Sequence, residues 1–385
     1  MRIAHYMNGL TYPGGIASYI HRITKAQLAA GNRVYLFDTL PIKTDLVPTD
    51  DQIVICDDDL YKQAISLQID ILHLHTSVSK LPPPELAVVR TVHGNNPYCP
   101  SGSRYLKNWG KPCDRTYSLP GCLWGHFIDH CGSIRPKNLQ NGFQSFWQDM
   151  ETLKSIPAIA NSEFVRQQMI RAGYNPSSVQ KLYYFVPEIL DYFPPPKTDI
   201  PHFVFAGRIT PEKGLHWLLN AIAKVQVPVH LDIAGTGNQE QEKLLISQIQ
   251  QLKLEDKVTL HGWVDAVKIT QLLQQARALI FPSVWHEPAG FVSLEAAAVG
   301  RPIIASRVGG IPEHIERLKN GLLVEVNDIH GLAQSIENLA ENWNLAQEMG
   351  LTGRKMVKEN FAMSDHLQKL MQLYNEIGKI NLKSE

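Results

Sequence analysis

Cysteine is scarce in this sequence, five in 385 residues, and net charge is absent, with 37 Lys and Arg against 37 Asp and Glu. So few cysteines do not make a disulfide scaffold. A balanced charge leaves no broad basic footprint for a polyanion, which disfavours a dedicated nucleic-acid binder. Uninterrupted apolar runs stay well short of the ~20 residues that cross a bilayer. Met1–Tyr6 reads as a strand rather than as the basic, apolar and small-residue parts of a secretory leader. A cytoplasmic chain is expected, with at most peripheral membrane contact. What the sequence does have is 44% hydrophobic and 19% charged residues, the composition of a folded globular protein. Its length exceeds one typical domain of about 150 residues more than twofold, so two domains are the first expectation.

Short apolar runs alternate with amphipathic stretches, the sequence form of βα units and a parallel sheet, which predicts an α/β class. Strands are predicted at Arg2–Tyr6, Arg33–Phe37, Ile53–Cys56, Asp70–His75, Val88–His93, Pro157–Asn161 and Lys181–Phe185, with a helix at Ile16–Ala30. Phe185 to Pro201 carries Pro187, Pro194, Pro195, Pro196 and Pro201 and reads as a linker. The pattern then restarts, with strands at His202–Ala206, Val229–Ala234, Lys257–Leu260, Ala278–Pro282 and Pro302–Ala305. Helices are expected near Gly214–Val225, Gln239–Gln251, Asp265–Gln275 and Ala289–Val299. The expected division is 1–190, 200–362, and a C-terminal helical segment 363–385 that is free to pack back on the first domain.

The most informative stretch runs from His286 to Gly300 and contains Glu287-Pro288-Ala289-Gly290-Phe291 and Glu295. With Pro288 in its first turn, a helix here separates Glu287 and Glu295 by about 80° and roughly 12 Å. Two carboxylates so placed suit the two hydroxyl-rich ends of an elongated ligand, and the free amides of the helix start suit an anion between them. A nucleoside diphosphate sugar has that layout. A second element, Gly207-Arg208-Ile209-Thr210-Pro211-Glu212-Lys213-Gly214, follows the first strand of the second domain, where Arg208 and Lys213 can neutralise a phosphate. Gly14 and Gly15, after Pro13, open the first helix and let backbone amides approach a phosphate. His93 ends a strand that points at the gap between the domains, and Gly235 and Gly237 follow another strand.

These motifs closely resemble the E-x7-E signature and the G-R-x4-K-G element of the family 4 retaining glycosyltransferases. The resemblance extends to Arg301–Ser306 and to Gly309-Gly310-Ile311-Pro312-Glu313. It implies a GT-B fold, two Rossmann-like domains facing across a cleft. It further implies that Glu287 and His93 contact the donor sugar, Glu295 the ribose hydroxyls, and Arg208 and Lys213 the diphosphate. Gly14, Gly15, Gly207, Gly235, Gly237, Ala289, Gly290 and Phe291 would line the donor pocket. The expected reaction moves a hexose-like unit from a UDP- or GDP-linked donor to a carbohydrate or lipid-linked hydroxyl, with retention and without a catalytic metal. A nucleotide-sugar epimerase and a non-catalytic nucleotide-sugar-binding protein are the alternatives. No complete G-x-G-x-x-G follows the first strand, which disfavours a dinucleotide dehydrogenase.

Directly after His93 the pattern is interrupted by residues 96–135, which hold Cys99, Cys113, Cys122 and Cys131. The segment looks like a cysteine-rich insertion carried by a subset of these transferases. Four thiolates make a candidate structural zinc site, with His126 and His130 as substitutes. The spacing lacks a close Cys-x2-Cys pair, so two disulfides and plain reduced thiols stay open as well. Trp109, Trp124, Phe127, Phe146 and Trp147 nearby can stack on sugar faces, meet a lipid or simply pack.

Overall fold

A computed structural model describes residues 1–10, 14–41, 47, 49, 52–56, 59–186 and 191–381. Pro13 and Pro187 lie outside the described residues. The apolar runs pair into two parallel sheets. The first uses β1 (Arg2–Tyr6), β2 (Arg33–Asp38), β3 (Ile53–Ile55), β4 (Ile71–Leu74) and β5 (Val88–Val92). A two-stranded hairpin, β6 (Tyr105–Leu106) and β7 (Lys111–Pro112), stands apart within the inserted segment, and β8 (Ala158–Ala160) and β9 (Val179–Lys181) complete the first sheet. Its order is β3-β2-β1-β4-β5-β8-β9.

The second sheet contains β10 (His202–Ala206), β11 (His230–Ala234), β12 (Val258–Gly262), β13 (Ala278–Phe281), β14 (Ile303–Ser306) and β15 (Gly321–Val324), in the order β12-β11-β10-β13-β14-β15. Each sheet therefore reverses direction beside its first strand, at β1/β4 and at β10/β13. Ligands of open α/β sheets bind at such switch points, beyond the carboxyl ends of the strands. The two switch points face each other, because Gly15 of the first lies 4.0 Å, as an added Cβ, from the Phe291 ring of the second.

Three sequence expectations need correction. Lys181–Phe185 is not a strand: β9 ends at Lys181, and the apolar residues that follow are buried without sheet pairing, Phe185 and Val186 among them. The strand Gly321–Val324 was not foreseen. The helix after β13 starts at Phe291 rather than at Pro288, with Gly290 as its N-cap. Glu287 therefore lies in the preceding loop, and the helical 80° relation to Glu295 does not apply.

The proline-rich stretch is pinned to the second domain: the carbonyl of Phe193 accepts from Arg301 Nη1 at 2.9 Å and that of Pro195 from Trp343 Nε1 at 2.7 Å. The chain crosses back beside its first crossing, where Val186 and Ala362 form a parallel bridge. Helix Met363–Asn381 then packs on the first sheet, where Tyr374 meets His73 at 2.6 Å and His366 meets Tyr19 at 3.0 Å, all four buried. Among the described residues, no helix is long and apolar enough to cross a membrane.

Candidate active site

The loop after β13 is built around one carboxylate. Glu287 is buried, and its Oε2 accepts from Lys213 Nζ at 2.6 Å, Trp285 Nε1 at 2.7 Å and Ser283 Oγ at 3.2 Å. Lys213 comes from the loop after β10, so the switch point itself joins the cation to the carboxylate. Its ammonium also sits 5.2 Å from the centre of the Trp285 ring. Gly309 and Gly310 press against this loop: a Cβ on Gly309 would fall 2.4 Å from the Glu287 carbonyl, and the Gly310 amide donates to that carbonyl at 2.7 Å. Arg208 is mostly exposed and only loosely paired, 3.7 Å from Glu212, so its guanidinium is available to an incoming anion.

Two helix starts converge here. Gly14 caps helix Gly15–Ala29 and Gly290 caps helix Phe291–Ala298, and neither end has a side-chain cap. Their leading amides are the donors that an anionic group seeks. A Cβ on Gly14 would meet nothing within 4 Å, whereas one on Gly290 would lie 2.4 Å from the Phe281 ring. The glycines after β11 are sterically required as well. Gly235 has φ of +145°, and a Cβ there would lie 1.8 Å from the Gly207 carbonyl oxygen; one on Gly237 would lie 2.4 Å from that of Ile209. Gly235→Ala is expected to destabilise the second domain by at least about 1–3 kcal/mol through backbone strain, which urea titration of the variant checks.

Glu295 is reached by an unforeseen residue: Arg22, from helix Gly15–Ala29, pairs with it at 3.1 Å and lies 5.8 Å from the Phe291 ring centre. A ribose binding there has to displace a partly exposed pair, which costs little. Ala289 is buried beneath the loop.

His93 sits at the carboxyl end of β5 as the end of a chain of buried imidazoles. Asn161 Nδ2 donates to the Tyr184 hydroxyl at 2.9 Å, and that hydroxyl contacts His93 Nδ1 at 2.7 Å. His93 Nε2 meets His75 Nδ1 at 2.9 Å, His75 Nε2 meets His5 Nδ1 at 2.9 Å, and His5 Nε2 meets Gln27 Oε1 at 2.7 Å. With Asn161 donating at one end and Gln27 accepting at the other, one set of tautomers satisfies every link: each ring donates through Nε2 and accepts at Nδ1. Burial holds His93 down at about 3, with Arg90 adding to it, and His5 at about 4; burial and its neighbouring histidines hold His75 far below the usual range. These rings are neutral at pH 7. Both nitrogens of His93 are thus engaged inside the first domain, and the Tyr184 ring carries its influence outward, stacked on Phe291 at 4.1 Å.

His5 and His75 were missed by sequence reasoning; their signal was a polar residue in otherwise apolar strands. Ser283 and Trp285 were missed too, although they share the loop of Glu287.

The inserted segment 96–135 also reaches across the gap. Asp114 Oδ1 meets His286 Nε2 at 2.9 Å, the Gly110 carbonyl accepts from Asn327 Nδ2 at 2.8 Å, and Tyr105 packs against the second domain's core. Of its aromatics and their neighbours, Phe146 is buried, while Trp109, Trp124, Phe127 and Trp147 are exposed.

Residues 193–356 match the glycosyl transferases group 1 family. The match covers the second domain and leaves the cysteine segment outside it. The chain is 28% identical over 289 residues to alpha-maltose-1-phosphate synthase of Mycolicibacterium smegmatis, spanning 68% of this chain and 74% of that protein. An uncharacterized glycosyltransferase of Methanocaldococcus jannaschii is 28% identical over 176 residues, 46% of this chain and only 45% of that protein. The fold is similar to sucrose-phosphate synthase from Thermosynechococcus elongatus, with a TM-score of 0.74 at 19% identity, covering 98% of both chains. It is also similar to Anabaena HepE solved with UDP-glucose, with a TM-score of 0.68 at 18% identity, over 98% of this chain and 100% of that one. Two Rossmann-like halves of this kind are the GT-B architecture. The second domain is thus similar to the glycosyl transferases group 1 family, and the chain spans under half the length of the Methanocaldococcus jannaschii relative.

Proposed function

We propose that the protein transfers a hexose from a nucleoside diphosphate donor to an acceptor hydroxyl with retention at the anomeric carbon. The observation that carries this reading is the join of Lys213 to Glu287 at the β10/β13 switch point, between two helix starts that no side chain caps. As the bond from sugar to phosphate breaks, negative charge grows on the diphosphate. Lys213, Arg208 and the helix-start amides supply fixed positive potential where that charge appears. Glu287 accepts three hydrogen bonds on one oxygen, which stabilises its carboxylate and makes it a poor nucleophile. That supports same-face attack, in which the leaving phosphate takes the acceptor's proton while Glu287 orients the sugar. Catalysis on this reading uses no metal, and Glu295 takes the ribose hydroxyls in place of Arg22.

Anabaena HepE, which shares the fold, holds UDP-glucose, and this makes UDP-glucose the first donor to test, with GDP-linked hexoses second. The acceptor is a carbohydrate or a lipid-linked glycan; exposed Trp109, Trp124 and Phe127 on the inserted segment favour contact with a membrane interface. Thermal unfolding with a panel of nucleotide sugars tests the reading. One donor should raise the melting temperature, by the equivalent of about 2.7 kcal/mol at a hundredfold excess over its dissociation constant, and Glu295→Ala and Arg208→Ala should abolish the rise. Proton NMR of the product should show the donor's anomeric configuration. Absence of a shift with every donor, or an inverted product, overturns the proposal.

A further inference from the structure

Cys99, Cys113, Cys122 and Cys131 come from four different turns of the inserted segment, yet all four line one small cavity of about 30 Å³. The space suits a single ion and excludes a sugar. Among the described residues no disulfide joins them.

A fifth group faces the same cavity. His126, 3% exposed, shares a helix face with Cys122 in Leu119–Phe127. Its Nδ1 donates to the Ser133 carbonyl at 3.1 Å, while its buried Nε2 has no partner. That bond fixes the tautomer and leaves an unpartnered Nε2 lone pair on a ring that lines the cavity, the state in which a histidine binds a metal. The packing keeps this donor set clear: a Cβ on Gly132 would lie 2.3 Å from the His126 ring, and one on Gly125 would lie 3.0 Å from the Cys131 sulfur. Arg104 and Arg115 line the pocket as well and offset the negative charge of a thiolate site.

We propose that this pocket is a structural zinc site whose donors are the thiolates of Cys99, Cys113, Cys122 and Cys131 together with Nε2 of His126. Zinc takes four of the five, and three or four thiolates both make a closed tetrahedral site. The donors of the thiol pocket have to draw in around the ion, whereas two other groups, His5/His73/His75 and His202/His230/Asp232, have their ligand atoms already within 4.8 Å of one another. Their atoms are already spent: both nitrogens of His5, His73 and His75 are hydrogen-bonded, and Asp232 already bridges His202 and His261 at 2.7 Å each. The thiol pocket instead holds an unused donor. Its role is to brace the segment that carries Asp114 and Gly110 across to the second domain, and it stands independently of the transfer reaction.

The full-length protein, purified without chelator, should carry one zinc per chain by elemental analysis. After exchange with Co²⁺ alone it should show thiolate-to-cobalt charge-transfer bands. Cys113→Ser combined with Cys131→Ser leaves only three of the five donors and should lower bound metal by more than about tenfold, while Cys56→Ser should keep it. A thiol titration guards against misfolding of the variants, because native protein should expose its four clustered thiols only after zinc is removed. A metal-free native protein that takes up no cobalt, cobalt bands that survive at full strength when Cys113→Ser and Cys131→Ser are combined, or clustered thiols found oxidised in pairs each overturn the proposal.

Discussion

Replacing Lys213 with alanine is expected to lower the rate of sugar transfer by on the order of 10²–10³-fold at saturating donor. The ammonium is the only cation within hydrogen-bond reach of Glu287 among the described residues, and both side chains are nearly enclosed, 14% and 11% exposed. Low exposure matters because a charge acting in a water-poor site is worth far more than one at the surface. The leaving diphosphate gains charge only as the bond breaks, so the loss should fall on kcat more than on the donor's KM. Lys213→Arg keeps the charge but not its compact shape and should recover part of the rate. A double-mutant cycle with Glu287→Gln separates the two roles of the lysine. If Lys213 acted only by holding Glu287, its removal would add nothing in the Glu287→Gln background; an additional loss there marks direct action on the diphosphate. A raised KM with unchanged kcat would reduce Lys213 to a donor-binding residue.

Acid should unfold this protein earlier than its neutral composition implies. Burial lowers many of the histidines in the folded state, and six of these lie deep in the core: His5, His314 and His366 at about 4, His93 at about 3, and His73 and His75 well below their usual value. In the unfolded chain each titrates near 6.5, so between that pH and about 4 the unfolded state binds more protons, and stability falls as pH falls. At pH 5.5 each group forfeits about 1.4 kcal/mol, and together the loss is on the order of 8 kcal/mol, comparable with the whole stability of many domains. Urea titrations at pH 7.5, 6.5 and 5.5 check this: stability should fall by about 2 kcal/mol between the first two and by about 6 kcal/mol more at the third. A flat profile would mean that the imidazoles can charge in place. Their surroundings argue otherwise, since His5, His75 and His93 are bonded to one another and Arg90 lies beside the last.

The alternating pattern exposed both sheets because each strand is a short apolar run that burial on two faces demands. The same physics misled at Leu182–Val186, whose apolar side chains are buried against Phe291 and helix Met363–Asn381 without joining a sheet. Burial was legible there; the partner was not. Pro288 looked like the first residue of a helix, but Gly290 is the N-cap, and no local signal distinguishes those two starts. Lys213, Arg208 and the glycines after β11 were legible as loop residues at strand ends, whereas Glu287 read as part of the helix that follows it. The pairing of Lys213 with Glu287 was not legible, because they are 74 positions apart and only the switch-point topology joins them. The contacts of Arg22 with Glu295 and of Asp114 with His286 depend on how the two domains face each other, which no periodicity encodes.

The helix Met363–Asn381 has a consequence for how the chain is made. Leu370, Tyr374 and Ile377 share one buried cluster with Ile3, Ile20 and Val89, so the first core to leave the ribosome lacks part of its filling. Tyr374 lies 188 positions after Val186, and at 5–20 residues per second translating that stretch takes roughly 10–40 s. For that interval the buried hydroxyl that meets His73 does not yet exist. The nascent first half waits, incomplete, for a piece delivered only after the whole second half has been synthesised, and that interval is when a holding chaperone would find most to bind.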